Sequence, residues 1–538
     1  MDNQLNFYNY ISIYENYTVK SLIFSSFQRS FGKSQINKLK NINKKQSGIH
    51  IFLESISENA NIDFQELIKL GGNKIILNGK LNNEIKEILN LKILTNDFNY
   101  EKPVPANSFK PSISSAKINF NQNLNYLRPF LKEIKERPLW RYDFDLEWNN
   151  NSFGNISNEN VILNLSHNCF LIKGLNVAFI ENSKDQSRNI PLISEFEING
   201  NIIIWINRNL SLVDLPEWKI IEEFISNGYF EKYPCIPYLS EYSSSENGLN
   251  TMRLDCDEDI ESARKIFEIY RYHDLPISLA ITTNQIKDSK FISSLPKEVN
   301  DYGGTILNHS HSHPINWGGS KDKIKEEIIT SNNLIKKSFG ITAEYAVSPF
   351  HHLTWNALEV LNELEFKGVI AGISSSHHEF LIMKGGSIHE NLDILLHSQQ
   401  CMIHGDCITK TRKVDSYLNT FSLYSNLGFS TGYLDHPISE RYDYGWVNIE
   451  RQVKTHQKII EYLLNKKIKF IGQKELFQRF AAKEKIKIKT INQKDFYTLE
   501  IKNENKICLS IKFGGKRFNC EPLTTTYKKI NKKISIDN

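Results

Sequence analysis

No stretch of this 538-residue chain approaches the roughly 18 consecutive apolar residues of a membrane span, so a helical membrane protein is not expected. Near Met1 the longest apolar run is about Ser21 to Phe24, and Met1-Asp2-Asn3 lacks a basic flank. No secretory signal is expected, and cytoplasmic residence is. Cysteine is scarce. The seven that occur (Cys169, Cys235, Cys256, Cys401, Cys407, Cys508 and Cys520) are odd in number and scattered, which excludes a disulfide framework and points to a reducing compartment. A surplus of one charge is also lacking. The 66 basic and 61 acidic residues leave +5, which singles out neither nucleic acid nor an anionic membrane and suits a neutral ligand such as a sugar equally well. Internal repeats are absent, and the abundance of Asn, Ile and Lys reads as compositional bias.

What is present is an ordinary globular composition, 40% hydrophobic and 24% charged, on a chain long enough for two to four domains. Residues up to about 45 are irregular in pattern. An α/β rhythm then begins, with a strand at Ile49–Leu53, a helix at Phe64–Leu70 closed by Gly71-Gly72, a strand at 74–77 and a helix at 84–89. Pro103, Pro105 and Pro111 mark a linker; strand-like runs at 161–165, 177–180 and 202–206 follow, then a helical pattern over 216–225. The clearest boundary is Tyr233-Pro234-Cys235-Ile236-Pro237 with Ser243-Ser244-Ser245. Beyond it, strands at 277–281, Tyr345–Val347, 369–371 and 468–471 alternate with helices. One helix aligns Ile260, Ala263, Ile266, Phe267 and Tyr270, another Ile324, Ile328, Ser331 and Ile335, and two more cover 355–364 and 449–464. This predicts parallel strands, in an open sheet or a closed barrel. Short strands at 486–488, 497–501 and 507–511 end the chain. The expected units are an N-terminal α/β unit (1–130), a second α/β or α+β unit (131–247), the alternating unit (248–482) and a small β appendage (483–538).

Thirteen of the fifteen histidines lie between His273 and His456. The run His309-Ser310-His311-Ser312-His313-Pro314 follows a short apolar strand and sets His309 and His313 four residues apart, a spacing suited to a divalent ion held by two imidazoles and a carboxylate. Arg253-Leu254-Asp255-Cys256-Asp257 offers two carboxylates at the end of another apolar run. Strand ends are where parallel β/α folds assemble active sites. Each motif also has a plainer reading, the acids as helix N-terminal charges and the histidines as a polar loop.

Both motifs in this order, with Ser348-Pro349-Phe350, Trp355-Asn356 and Leu434-Asp435-His436-Pro437, make residues 248–482 resemble the polysaccharide deacetylase family in an Asp-x-Asp variant. The resemblance implies an α/β fold with a distorted (β/α) barrel and a metal-dependent hydrolase that removes the N-acetyl group of an amino sugar in a polysaccharide or glycoconjugate. It implies one divalent ion (zinc, with cobalt, nickel or iron as other candidates) held by Asp257, His309 and His313. Asp255 would be the general base and His436 the general acid, and the Phe350 N–H would meet the developing oxyanion. Trp446, in the loop after His436, is the candidate for stacking on a sugar ring. The partner implied is an acetylated carbohydrate. Two departures stand out. Cys256 separates the acids, and Ala346-Val347-Ser348-Pro349 lacks the arginine that orients the base in the family, which leaves open what orients the base here. Asp406 and Asp435 are the candidates for tuning His436. A metal pair His309-x-His311 of another barrel superfamily, and a non-catalytic glycan-binding module on a degenerate fold, are the alternatives.

Overall fold

A computed structural model describes residues 22–39, 47–53, 64–94, 117–128, 165–181, 189–208, 215–286, 293–371, 384–389, 391–398, 401–403, 405, 408 and 414–533, with short pieces at 7–8, 11–15, 112–113, 136–138, 141–142, 144–145 and 149–150. The fold is mixed α/β. A nine-stranded sheet joins strands from Ile11–Glu15 through Asn201–Ile206, so strands from either side of residue 130 share one ladder. The stretch before residue 45, irregular in sequence pattern, forms regular elements where it is described. Leu22–Phe31 is a helix whose Ile23, Phe24, Phe27 and Phe31 are buried in the same core as the sheet strands. The expected strand at 161–165 lies outside the described residues except for Leu165.

The second large sheet carries the motifs. Its strands are β1 (Leu249–Cys256), β2 (Ser278–Ile281), β3 (Ile306–Asn308), β4 (Tyr345–Val347), β5 (Gly368–Ala371), β6 (Gly386–Ser387), β7 (Leu395–Ser398), β8 (Cys401–Met402), β9 (Thr431–Asp435) and β10 (Lys469–Phe470). The order is β6-β7-β5-β4-β3-β2-β1-β9-β8, with β10 also on β1 and every pair parallel except β6 with β7. Every residue of β1 is buried, as a parallel strand covered on both faces requires. Among the described residues no ladder joins β7 to β8. Even so, a Cβ on Gly432 of β9 would come within 3.0 Å of the His397 ring of β7.

Helix α1 (Lys321–Phe339) shows how the crossovers form. The Ser320 side chain accepts the Lys323 N–H as N-cap, worth about 1 kcal/mol. Ile324, Ile328, Ser331 and Ile335 are buried on the inner face, and Gly340 ends the helix at φ 72, a left-handed conformation suited to glycine. Helix α2 (Trp355–Glu363) is capped by Thr354. The expected helix from 259 begins instead as a 3-10 turn at Glu261–Ala263, because Asp259 accepts the Ser262 N–H before the α-helix starts at Arg264. The last helix, Gln473–Lys485, leads to antiparallel strands Lys487–Asn492, Phe496–Asn503 and Thr524–Asn531, and Phe7–Tyr8 pairs with the first of these. The described cysteines are free, and no helix among the described residues is long and apolar enough to cross a membrane.

Buried histidines, His50 and His397 among them, make stability depend on pH. His50 and His397 are 4% and 3% exposed, and burial pushes both imidazoles down to about 4. Unfolded, they take a proton near 6.5. Between these values the unfolded chain binds more protons than the folded one. Stability is therefore full above about pH 6.5 and falls toward pH 4, by about 1.4 kcal/mol per pH unit for each histidine. The urea midpoint is expected to be lower at pH 5 than at pH 7, with a smaller difference in His397→Asn; an equal midpoint at both pH values contradicts the prediction.

Candidate active site

Parallel pairing brings the carboxyl ends of β1, β2, β3 and β9 to one edge, and the candidate groups sit there. Asp255 is the last acid within β1 and Asp257 follows its end; His309 follows β3, and His436 follows β9. The histidine loop is built to turn back on itself. Asn308 Oδ1 accepts the Ser310 N–H at 2.9 Å and Ser310 Oγ accepts the His313 N–H at 3.0 Å. Glu327 of α1 accepts the N–H groups of His311 and Ser312, both at 2.8 Å. Ser310 and His313 take left-handed φ values of 68 and 54.

This turn sets His313 Nε2 at 3.1 Å from His309 Nε2. Asp257 Oδ1 lies 3.5 Å from His309 Nε2 and 3.8 Å from His313 Nε2. Two ligands of a tetrahedral ion with bonds of about 2.1 Å lie about 3.4 Å apart, so the three separations fit one small divalent cation, and two imidazoles with a carboxylate are a donor set that zinc takes. His309 Nδ1 is 3.0 Å from the Val347 carbonyl. A carbonyl only accepts, so Nδ1 carries the proton and Nε2 offers its lone pair inward. Burial, first, and the neighbouring His309 push the His313 imidazole down to about 4, which keeps it neutral and able to ligate at pH 7. Thr282, just after β2, donates to Asp257 Oδ1 at 3.2 Å and steadies that carboxylate.

Asp255 and His436 flank the triad. Asp255 Oδ2 is 4.0 Å from His309 Nε2, and its two oxygens accept from Arg253 Nε at 2.7 Å and Nη2 at 3.2 Å. Burial pushes the Asp255 carboxyl up, but Arg253, His309 and His436 together outweigh it and hold the group well below the usual carboxylate range. His436 Nε2 is 3.5 Å from Asp257 Oδ2, and its ring stacks on Tyr444 at 4.4 Å between centroids. Its buried Nδ1 has no hydrogen-bond partner among the described residues. Asp435 does not serve it. That carboxylate accepts the His436 backbone N–H, Trp446 Nε1, Gln452 Nε2 and His456 Nε2 in a network that continues to Tyr270. Asp406 lies outside the described residues.

Phe350 is in the turn Pro349–His351 with its ring 4.5 Å from the ring of His313, at φ 52. Trp446 is 2% exposed and bonded to Asp435, so its indole offers no open face; Tyr444, stacked on His436, and the 57% exposed Tyr442 are other aromatic rings of that loop. His311 turns to Thr283 Oγ1 at 3.1 Å and stays out of the cluster. Of the two adjacent-histidine pairs in this segment that could touch substrate, His352 of the first bonds Asn316, while the second, His377-His378, lies outside the described residues, as does Asp143 of the other Asp-x-Asp run, Asp143-Phe144-Asp145. Six of the thirteen described non-glycine residues at positive φ (Ser310, His313, Asn316, Trp317, Phe350 and Tyr444) are in these loops, the concentration of strain typical of a functional site. Arg253, Thr282, Glu327 and Tyr444 are further residues of the site that the motifs do not single out. Only Arg253 carried a local signal, its place two residues before Asp255 on one strand.

The polysaccharide deacetylase family model matches residues 255–369. The resemblance read from the motifs is borne out over that segment, which holds Asp255, Asp257, His309, His313 and Phe350; His436 and Trp446 lie beyond it. Among curated proteins nothing matches the chain. Similar solved structures include a family 4 acetyl xylan esterase from Clostridium thermocellum in complex with a cobalt ion, 14% identical over 43% of this chain and 90% of that one, with a TM-score of 0.30. A family 4 carbohydrate esterase from Streptomyces lividans in complex with acetate is 14% identical over 42% of this chain and 92% of its own, with a TM-score of 0.28. A pseudoenzyme of the same esterase family from Bacillus anthracis is 15% identical over 44% and 68%, with a TM-score of 0.30.

Proposed function

We propose that this chain is a metal-dependent deacetylase that hydrolyses the N-acetyl group of an amino sugar in a polysaccharide or glycoconjugate. The observation that carries the reading is the approach of Asp257, His309 and His313 to within ligand spacing of one another, with a carboxylate and an imidazole on either side. A divalent ion held by those three residues, zinc first among candidates, supplies Lewis acidity toward the amide carbonyl and a lowered pKa for water. Asp255 accepts a proton from the attacking water. His436 protonates the amine nitrogen as the C–N bond breaks, and the Phe350 N–H donates to the carbonyl oxygen as it gains charge. Water and acetamide thus give acetate and a free amine without a covalent enzyme intermediate.

In this reading residues 248–482 form a distorted (β/α) barrel, preceded by α/β material whose nine-stranded sheet draws strands from both sides of residue 130, and followed by an appendage at 483–538. The approach of His397 on β7 to Gly432 on β9, strands separated by five others in the sheet order, supports a sheet curled on itself. A second reading, a glycan-binding module without turnover, is favoured by one observation, the absence of a partner for His436 Nδ1 among the described residues. Acetate release from a panel of N-acetylated oligosaccharides by zinc-loaded protein separates the two. Release that stops with a chelator and returns with zinc supports the deacetylase; tight zinc binding with no release from any of them supports the binding module.

A further inference from the structure

Arg253 and Asp255 are two residues apart on β1, so strand alternation points both side chains to the same face of the sheet. The guanidinium gives one hydrogen bond to each carboxylate oxygen, 2.7 Å from Nε and 3.2 Å from Nη2, and the two side chains are 1% and 3% exposed. A fork of this kind fixes the plane of the carboxylate as well as its position, which a single point charge does not. Its root is as firm as the fold allows, because β2 and β9 pair with β1 on its two sides at Arg253. The clamp leaves Oδ2 facing His309 Nε2 at 4.0 Å, toward the candidate ligand cluster. On β4 the Val347 carbonyl is engaged with His309 Nδ1, and the Ala346-Val347-Ser348-Pro349 segment contributes no cation to Asp255.

We infer that Arg253 is the positioning residue of the base, holding the Asp255 carboxylate toward the ion-binding cluster from within the same strand. The inference rests on the deacetylase reading above. Because clamp and base share β1, the aim of the base is set by the sheet and not by the loop after β4.

The test is a double-mutant cycle on zinc-loaded full-length protein, with acetate release, zinc content and urea midpoint measured for each variant. Arg253→Gln is expected to lower kcat by about 100-fold, the effect of misplacing a catalytic group by about 1 Å, with KM within about threefold and one zinc retained. Arg253→Lys keeps the buried cation and guards against a folding defect; it is expected to lose at least about tenfold in kcat because it lacks the fork. In an Asp255→Asn background, Arg253→Gln is expected to cost less than about threefold more, since its effect runs through the missing carboxylate. Wild-type kcat in Arg253→Lys overturns the inference, as does an equal loss in both backgrounds or a loss that tracks zinc content. Wild-type protein that releases acetate from no acetylated glycan overturns the functional reading instead, and this inference with it.

Discussion

Asparagine in place of Asp255 is expected to cut acetate release by about 10²- to 10⁴-fold, the usual contribution of a general base, while the chain still takes up one divalent ion. The reason is geometric. Asp255 Oδ2 stands 4.0 Å from His309 Nε2, whereas Asp257, His309 and His313 form the cluster with ligand spacing. Removing the charge of Asp255 therefore takes away a proton acceptor and leaves three donors for the ion. Asparagine keeps the shape and one acceptor oxygen for Arg253, but a guanidinium 1% exposed loses its counter-charge. Breaking a buried pair in this way costs about 3–5 kcal/mol when the partner is lost outright, so the urea midpoint is expected to fall as well. Kinetics read at a temperature where the variant is folded separate the two effects. Near-normal turnover in folded, zinc-loaded Asp255→Asn would remove it from the base role.

The second large effect is expected in metal uptake. His309→Ala should weaken zinc binding by more than about 100-fold, beyond the 10- to 100-fold typical of losing a residue that merely supports a ligand. His309 is 2% exposed, its Nδ1 is held by the Val347 carbonyl, and its Nε2 faces both His313 and Asp257, so its loss removes one of the three groups at ligand spacing. His311→Ala is the control. That ring is engaged with Thr283, so zinc content should be unchanged, whereas a metal pair built on His309 and His311 would lose its ion in both variants. Unchanged zinc content in His309→Ala contradicts the ligand assignment.

Much of the site was legible because its chemistry sits in contiguous runs at strand ends. Parallel pairing of β1 with β2 and of β2 with β3 brings those ends to one edge, so order along the chain translates into proximity. The inner faces of α1 and of Arg264–Tyr272 were legible for a similar reason, since burial at Ile324, Ile328, Ser331 and Ile335, and at Ile266, Phe267 and Tyr270, follows the helical period. What escaped depends on side-chain direction in three dimensions. Trp446 looked like a sugar platform from its nearness to His436, but its N–H satisfies buried Asp435 and draws the ring inward. Asp435 looked like a partner for the His436 ring, but Trp446, Gln452 and His456 claim its oxygens. Arg253 was in plain view as the residue two before Asp255. Its role needs the knowledge that both face the same interior. The helix at Leu22–Phe31 was passed over because its apolar spacing is short and interrupted by Ser25, Ser26 and Ser30, whose small side chains are themselves buried.

The convergence of one carboxylate and two imidazoles on a single cation underlies every role assigned here. The most direct test is anomalous diffraction at the zinc edge from crystals of the zinc-loaded protein. The account predicts one strong peak about 2.0–2.2 Å from Asp257 Oδ1, His309 Nε2 and His313 Nε2 together; a peak bound elsewhere, or a saturated protein with none at these three atoms, would contradict it.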